Sequence, residues 1–258
     1  MIDIHAHILP GLDDGPAAMC DALKMARIAV EDGIGIMIAT PHCLNGLYHN
    51  YRENIMAACS KFNAALKNNR IPLKVLPGSE VHLDMEILNL LKMDRLMTLN
   101  DTGRYLFLEL PDQLILESLV DFIARLKEMD TIPIIAHPER NTAIQRDVLL
   151  LHDLISAGAL SQVTGGSLTG RFGRHAFQCC LRIVELNLAH FMATDAHSPE
   201  TRPPRLSSAV SKLIALTDRS CAERILFEGP EMVIKGKAPE GVFYKMQATS
   251  GFQLCHRR

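Results

Sequence analysis

The chain has 258 residues, of which 48% are hydrophobic and 22% are charged, and its formal net charge is −2 at pH 7. The near-neutral charge gives no reason to expect nucleic acid or an anionic membrane as the main partner. No apolar run approaches the roughly 18 residues that span a bilayer. We therefore expect a cytoplasmic protein with one large domain over residues 1–258, whose tail is irregular from about residue 231.

Short apolar segments alternate along the chain with longer segments of helical periodicity. After a first strand within residues 1–15, strands are predicted at 35–40, 73–76, 105–110, 132–136, 159–164 and 190–194. Helices are predicted at 17–32, 52–67, 84–92, 115–129, 147–157, 172–187, 204–216 and 220–227. About seven strand–helix units in a row favour a parallel α/β barrel, with an active site at the C-terminal ends of its strands.

The first fifteen residues hold a histidine pair and a carboxylate pair. His5 and His7 are separated by one residue in an apolar segment. In a strand their imidazoles point to the same face and can converge on one ion. Asp13 and Asp14 follow closely. A single His-x-His pair often arises by chance in a chain with 11 histidines, so this pair alone predicts little.

Other apolar segments also end in side chains that can bind a metal. These side chains are His42, Glu80, Glu109, His137, Asp195 and His197. We expect them to meet the first histidine pair, because the C-terminal ends of parallel strands lie at one edge of a barrel. Nitrogen and carboxylate ligands without cysteine suit manganese, zinc or iron, with magnesium also possible. So many ligands favour two or three ions.

A multinuclear site of this kind activates water at neutral pH and clamps a phosphate group. Arg140 follows His137 by three residues and Arg202 follows His197 by five, so both arginines are candidates to bind the phosphate. No cysteine has an arginine six positions later, which excludes the loop of thiol-dependent tyrosine phosphatases. The Gly-x4-Gly-Lys-Ser/Thr phosphate loop is also missing from the sequence. The seven cysteines are expected to be reduced.

Six motifs occur in order over residues 1 to about 230. They are His5-Ala-His7-Ile-Leu-Pro-Gly-Leu-Asp13-Asp14-Gly15, Ala39-Thr-Pro-His42, Pro77-Gly-Ser-Glu80, His137-Pro-Glu-Arg140, Gly166-Ser-Leu-Thr-Gly-Arg-Phe-Gly173 and Ala193-Thr-Asp195-Ala-His197 with Arg202-Pro-Pro. Together they resemble the bacterial capsular and exopolysaccharide tyrosine phosphatases of the polymerase and histidinol phosphatase (PHP) superfamily. The resemblance implies a distorted (β/α)7 barrel, similar to a TIM barrel, with a trinuclear site that is usually activated by manganese.

The resemblance also assigns the ligands to three ions. The first ion would bind His5, His7, Glu80 and Asp195. Glu80 would bridge to a second ion, which would also bind Glu109 and His137. The third ion would bind Asp14, His42 and His197, with Asp13 as the rival of Asp14. The substrate phosphate would then bridge the metals against Arg140 and Arg202.

The activity implied by the resemblance is hydrolysis of phosphotyrosine by a metal-activated hydroxide. The substrate would be the tail of a tyrosine autokinase that controls polysaccharide export. A small phosphate ester such as histidinol phosphate is the alternative substrate, and a regulatory protein that binds phosphotyrosine without turnover is a third hypothesis. Cys43 and Thr164 depart from the family pattern, where a histidine and an asparagine are common. Neither is in the ligand set, so we expect altered substrate contacts more than lost catalysis.

Overall fold

The computed structural model describes residues 1–111 and 118–239, and all pairings between its strands are parallel. The strands are β1 (Ile2–Ala6), β2 (Ile36–Ala39), β3 (His42–Cys43), β4 (Lys74–Pro77), β5 (Glu80–His82), β6 (Tyr105–Glu109), β7 (Ile132–Ala136), β8 (Leu160–Thr164) and β9 (Phe191–Ala193). The α-helices are α1 (Met19–Glu31), α2 (Arg52–Asn68), α3 (Ile87–Lys92), α4 (Leu119–Glu128), α5 (Thr142–Arg146), α6 (Leu149–Ala157), α7 (Gly165–Leu168), α8 (Gly173–Glu185), α9 (Ser207–Leu216), α10 (Arg219–Glu223) and α11 (Gly229–Ile234). The predicted alternation of strands and helices is confirmed, although residues 115–117 of the predicted helix 115–129 lie outside the described residues.

Two strands of the barrel are each broken into two pieces. Pro41 separates β2 from β3, because proline has no N–H with which to continue the ladder. Gly78 and Ser79 separate β4 from β5, where a Cβ on Gly78 would lie 2.6 Å from Ile38 Cγ2. Counting each broken pair once, the strands of the described residues occupy seven positions, in the order β1, β2/β3, β4/β5, β6, β7, β8 and β9.

The barrel closes between β9 and β1. The Asp195 N–H donates to the His5 carbonyl at 2.9 Å, and the His7 N–H donates to the Ala196 carbonyl at 2.8 Å. The Asp3 carboxylate also accepts from the Thr194 hydroxyl at 2.5 Å and from its N–H at 3.0 Å. The predicted α/β barrel is therefore confirmed, with the first and last strands side by side.

A β-bulge in β1 changes which of its side chains face the barrel interior. The pairing of β1 with β2 is shifted between Asp3 and Ala6. Ile4 belongs to the cluster of apolar side chains inside the barrel, which includes Phe107. The His5 ring also packs edge-on against Phe107, with 4.6 Å between ring centroids. The extra residue of the bulge thus lets two consecutive side chains face the interior, which strict strand alternation does not allow.

Apolar faces of the helices cover the outside of the barrel. In α1, Ala22, Met25, Ala26 and Ala29 are buried at three- and four-residue spacings. Gly33 follows this helix with a φ of 88°, and its N–H donates to the Val30 carbonyl at 3.0 Å. A glycine tolerates this left-handed angle without a steric cost, so the helix ends here.

The prediction that the tail is irregular from about residue 231 is wrong for its first residues. A π-helix at Arg224–Glu228 runs directly into helix α11, and helical angles continue through Gly229 to Ile234, so the glycine and proline at 229 and 230 do not end the helix. Residues 240–258 of the predicted tail lie outside the described residues. Within the part of the chain that the structure describes, no helix combines the length and apolar character that a membrane crossing requires.

Candidate metal centre

The structure brings all nine predicted ligands together at the C-terminal end of the barrel. They form four overlapping groups, and the ligand atoms within each group lie within 4.8 Å of one another. The groups are His7, Asp14, His42 and His197; His5, His7 and Glu80; His5, His137 and Asp195; and His42, Glu80 and Glu109. Residues that are distant in sequence therefore meet in one cluster of side chains that can bind metal.

Glu80 lies in the middle of these groups. Its Oε2 atom is 3.4 Å from His5 Nε2, 3.2 Å from His7 Nε2 and 3.2 Å from His42 Nδ1. Its Oε1 atom is 2.9 Å from His137 Nε2. Glu80 Oε2 and His42 Nδ1 are buried and make no hydrogen bond among the described residues. Because unpaired buried polar atoms are costly, a carboxylate oxygen amid imidazole nitrogens fits a shared metal ion.

His42 connects two parts of the centre through its two ring nitrogens. Its Nε2 atom is 3.5 Å from Asp14 Oδ1, whereas its Nδ1 atom lies near Glu80 and 3.7 Å from Glu109 Oε2. His197 Nε2 is 3.4 Å from the same Asp14 oxygen. The observed groups therefore overlap and do not separate into three independent sets.

Asp13 and Asp14 face different parts of the structure. Asp13 Oδ2 lies 2.6 Å from His7 Nδ1 and accepts from the His42 N–H at 3.1 Å. This carboxylate orients the His7 ring from behind, as carboxylates commonly do for metal-binding histidines. Asp14 instead points between His42 and His197. The geometry favours Asp14 as the ligand, and that assignment stays a prediction.

The two carboxylate oxygens of Asp195 face different partners, one toward histidines and the other toward arginines. Its Oδ1 atom is 3.3 Å from His5 Nε2 and 3.6 Å from His197 Nδ1. Its Oδ2 atom accepts from Arg140 Nη1 at 2.6 Å and from Arg202 Nη2 at 2.5 Å. The two arginines predicted to bind phosphate therefore meet at the edge of the candidate metal site.

The backbone is left-handed at two of the predicted ligands. His137 has a φ of 30° and Asp195 has a φ of 51°. His137 lies just beyond the end of β7, and Asp195 just beyond the end of β9. Positive φ is uncommon outside glycine and is concentrated at functional sites. These angles turn both side chains from the strand direction toward the centre.

Burial and neighbouring charges set the protonation of these groups. Burial disfavours the charged form of His7, but the Asp13 and Glu80 carboxylates outweigh it and raise the pKa of His7 well above its ordinary value. Burial likewise opposes a charge on His137, and Glu80 outweighs it, so the pKa of His137 is also raised. The hydrogen bond from His197 lowers the pKa of Asp14. The carboxylates thus stay charged, and the imidazoles beside them attract protons. A divalent cation takes the place of such protons, so this pattern suits a metal site.

Several supporting residues were not predicted from the sequence. Gln162 Oε1 lies 3.0 Å from His5 Nδ1, on the side of the ring that faces away from the metal groups. Glu139 is fully buried, and its Oε1 atom accepts from the Thr164 N–H at 2.9 Å and from the Ser167 hydroxyl at 2.6 Å. A polar residue within an apolar strand was the available signal for Gln162. Nothing in the spacing of Glu139 distinguished a buried anchor from a ligand.

The two departures from the family pattern contribute no ligand to these groups. Cys43 is buried, and burial raises the pKa of its thiol to about 12. The six cysteines in the described part of the chain are all unpaired. Thr164 is also buried and supports Glu139 through its backbone N–H.

Sequence comparisons connect the chain to known proteins. The family model for capsular polysaccharide synthesis, CpsB/CapC, matches residues 1–235. The tyrosine-protein phosphatase YwqE of Bacillus subtilis (strain 168) is 44% identical over 202 residues, which cover 78% of this chain and 79% of YwqE. The putative tyrosine-protein phosphatase CapC of Staphylococcus aureus is 37% identical over 203 residues, which cover 79% of each chain.

Structural comparisons agree with the sequence comparisons. A chain from the crystal structures of YwqE from Bacillus subtilis and CpsB from Streptococcus pneumoniae, described as unique metal-dependent tyrosine phosphatases, superposes with a TM-score of 0.89 at 39% identity. The superposition covers 92% of this chain and 96% of that one. A probable 2-pyrone-4,6-dicarboxylic acid hydrolase from Acinetobacter baumannii shares only the fold, with a TM-score of 0.54 at 15% identity. This chain therefore belongs to the CpsB/CapC family of capsular polysaccharide synthesis.

Proposed function

We propose that this protein is a metal-dependent protein-tyrosine phosphatase that hydrolyses phosphotyrosine phosphomonoesters. The observation that carries the proposal is the unpaired Glu80 oxygen among three imidazoles, beside two arginines that meet on Asp195. Relatives that cover most of the chain are named tyrosine-protein phosphatases, which supports the tyrosine substrate.

Nine side chains would hold up to three divalent ions, with Glu80 shared between ions. The ligands are those predicted from the sequence: His5, His7, Asp14, His42, Glu80, Glu109, His137, Asp195 and His197. We propose manganese as the metal, as the resemblance to the family implies; the mixed nitrogen and oxygen ligands also suit iron and zinc, and magnesium is a further alternative. Bound ions of this kind supply Lewis acidity, which lowers the pKa of water and offsets the charge of a phosphate group.

The protein's own side chains bind and orient the substrate. Arg140 and Arg202 bind the phosphate oxygens, since a guanidinium presents parallel N–H donors that match them. A cavity of about 480 Å3 opens beside the centre and is lined in part by Asp14, His197 and Arg202. We assign the phosphotyrosyl side chain and the residues next to it to this cavity.

The proposed substrate is the phosphorylated tail of a tyrosine autokinase that controls capsular or exopolysaccharide synthesis, and the proposed location is the cytoplasm. Family membership supports a role in capsular polysaccharide synthesis. We propose that the whole chain forms one catalytic domain. A small phosphate ester such as histidinol phosphate is the alternative, although the relatives named here are tyrosine phosphatases.

Phosphate release from a phosphotyrosine peptide tests the proposal. Protein stripped by a chelator is expected to be inactive and to recover when manganese is added. Histidinol phosphate and a phosphoserine version of the peptide serve as matched substrates, and both are expected to react much more slowly. Protein that binds manganese and releases phosphate faster from histidinol phosphate would overturn the tyrosine assignment. Tight binding of the phosphotyrosine peptide without release would instead favour a regulatory binding protein.

A further inference from the structure

The segment 166–173 belongs to the sequence motifs but provides no metal ligand. The chain turns back on itself here, with a φ of 87° at Gly170 and a hydrogen bond of 2.9 Å from the Arg171 N–H to the Gly166 carbonyl. The turn lays the Phe172 ring over Gly166. A Cβ at position 166 would lie only 2.7 Å from Phe172 Cε2, so the absence of a side chain there makes room for the ring.

The Phe172 ring lies under both arginines of the site. The guanidinium carbon of Arg140 is 4.7 Å from the ring centroid, and that of Arg202 is 5.5 Å from it. The arginines come from different parts of the chain, one just beyond β7 and the other beyond β9. One aromatic ring thus contacts two cations that also share the Asp195 carboxylate.

The residues around Phe172 are tied to the neighbours of both arginines. Arg171 Nη1 donates to the carbonyl of Thr201, the residue before Arg202. The Ser167 hydroxyl donates at 2.6 Å to Glu139, the residue before Arg140. These hydrogen bonds fix the segment relative to both arginines, so the position of the ring is set by the fold.

We propose that Phe172 is a positioning residue that holds Arg140 and Arg202 as one phosphate-binding pair. A ring contacts the face of a guanidinium and leaves its in-plane N–H donors available for phosphate oxygens. Asp195, by contrast, uses those donors. The ring therefore keeps both guanidinium planes oriented when the phosphate replaces the carboxylate as their partner. Phe172 has this role only if the protein is the phosphatase proposed above.

Two substitutions at position 172 test the ring itself. Phe172→Leu keeps an apolar side chain but removes the aromatic face, and we expect the KM for a phosphotyrosine peptide to rise about tenfold while kcat changes about twofold or less. The inhibition constant of inorganic phosphate should rise by a similar factor. Phe172→Tyr retains the ring and should restore both values. Gly166→Ala displaces the ring without changing it, and we expect the same direction of change.

A second readout does not depend on turnover or on metal. The side-chain Nε–H signals of Arg140 and Arg202 in nuclear magnetic resonance spectra should show a ring-current shift that Phe172→Leu removes. Phe177→Leu is the matched control, because the Phe177 ring lies 5.7 Å from Lys212 Nζ and contacts neither arginine of the site. It should leave both arginine signals and the KM unchanged.

The outcomes separate this role from the proposed function. A KM and a phosphate inhibition constant that stay at their original values in Phe172→Leu would overturn the positioning role, even in an active phosphatase. An equal loss in Phe177→Leu would overturn it as well, since the effect would then be general destabilisation. If the original protein released no phosphate, the proposed function would fail, while the arginine signals would still decide where the ring acts.

Discussion

The pKa values of buried histidines at the two ends of the barrel are shifted in opposite directions. His137 lies at the C-terminal end of β7 beside Glu80, and that carboxylate outweighs burial and raises the pKa of His137. His190 lies at the N-terminal end of β9, and burial lowers its pKa to about 4. Its Nδ1 atom accepts from the Ser161 N–H at 3.2 Å. The same residue type is thus a proposed metal ligand at one end and a neutral core residue at the other, because the Glu80 carboxylate lies beside His137 whereas burial dominates at His190.

The largest expected effect comes from removing a carboxylate at the functional end. Asp195→Asn keeps the shape of the side chain and tolerates the left-handed backbone at this position. We expect phosphate release to fall by about 10³-fold or more, because both the metal groups and the arginine pair lose a shared anion. Steady-state assays with added manganese measure the loss.

A matched substitution far from the centre provides the control. Asp218 caps helix α10, with its carboxylate accepting from the Cys221 N–H at 2.7 Å. Asp218→Asn preserves that cap and should leave phosphate release unchanged, because asparagine caps helices as well as aspartate does. Circular dichroism should show that both variants are folded. Full activity in Asp195→Asn would contradict the ligand assignment.

The adjacent carboxylates Asp13 and Asp14 are expected to differ in a metal titration. Asp13→Asn weakens the orientation of His7 and should raise the manganese concentration needed for half-maximal activity by about 10- to 100-fold, with activity recovered at high manganese. Asp14→Asn removes a proposed ligand, so added manganese should not restore full activity. If the two variants showed the reverse pattern, their roles would be exchanged.

The smallest expected effect concerns His190, at the N-terminal end of β9, and is a change in the free energy of unfolding. The folded-state pKa of His190, about 4, lies below its ordinary value, so the unfolded chain takes up this proton first as the pH falls. The protonation of His190 therefore does not lower the free energy of unfolding above about pH 6.5. Between that pH and about pH 4 it lowers this free energy by roughly 3 kcal/mol at most. His190→Gln has no such proton to gain.

Urea unfolding at about pH 7.5 and about pH 5 measures this difference. The free energy of unfolding of the original protein should fall more over that interval than that of His190→Gln. Other groups titrate in both proteins, so only the difference between them reports on His190. Equal falls in the two proteins would show that His190 is not held neutral by burial.

Much of the fold was predictable because strand and helix periods are local properties. The predicted helix 17–32 is observed as Met19–Glu31, and the predicted strand 132–136 as Ile132–Ala136. The short strands β3 and β5 were missed, since two or three residues carry too little periodicity. The helix after Gly229 was also missed, because Gly-Pro usually ends a helix, whereas here helical angles continue from the π-helix Arg224–Glu228 through both residues.

The residue types of the candidate ligands could be identified from the sequence, whereas the residues that orient these ligands could not. His5 and His7 converge as strand alternation predicts, although the bulge in β1 can be recognised only when the paired strand is known. Spacing did not separate Asp13 from Asp14, because consecutive loop residues have no fixed direction. The contact of Phe172 with two arginines depends on three segments that are distant in sequence and was beyond any local pattern.

The most direct test of the central claim is the location of manganese in crystals of the protein. Anomalous diffraction is expected to place manganese within bonding distance of Glu80 and of the histidines around it. Crystals of protein that is active with manganese provide the material for this measurement. Manganese bound only elsewhere, with Glu80 still uncoordinated in active protein, would contradict the account.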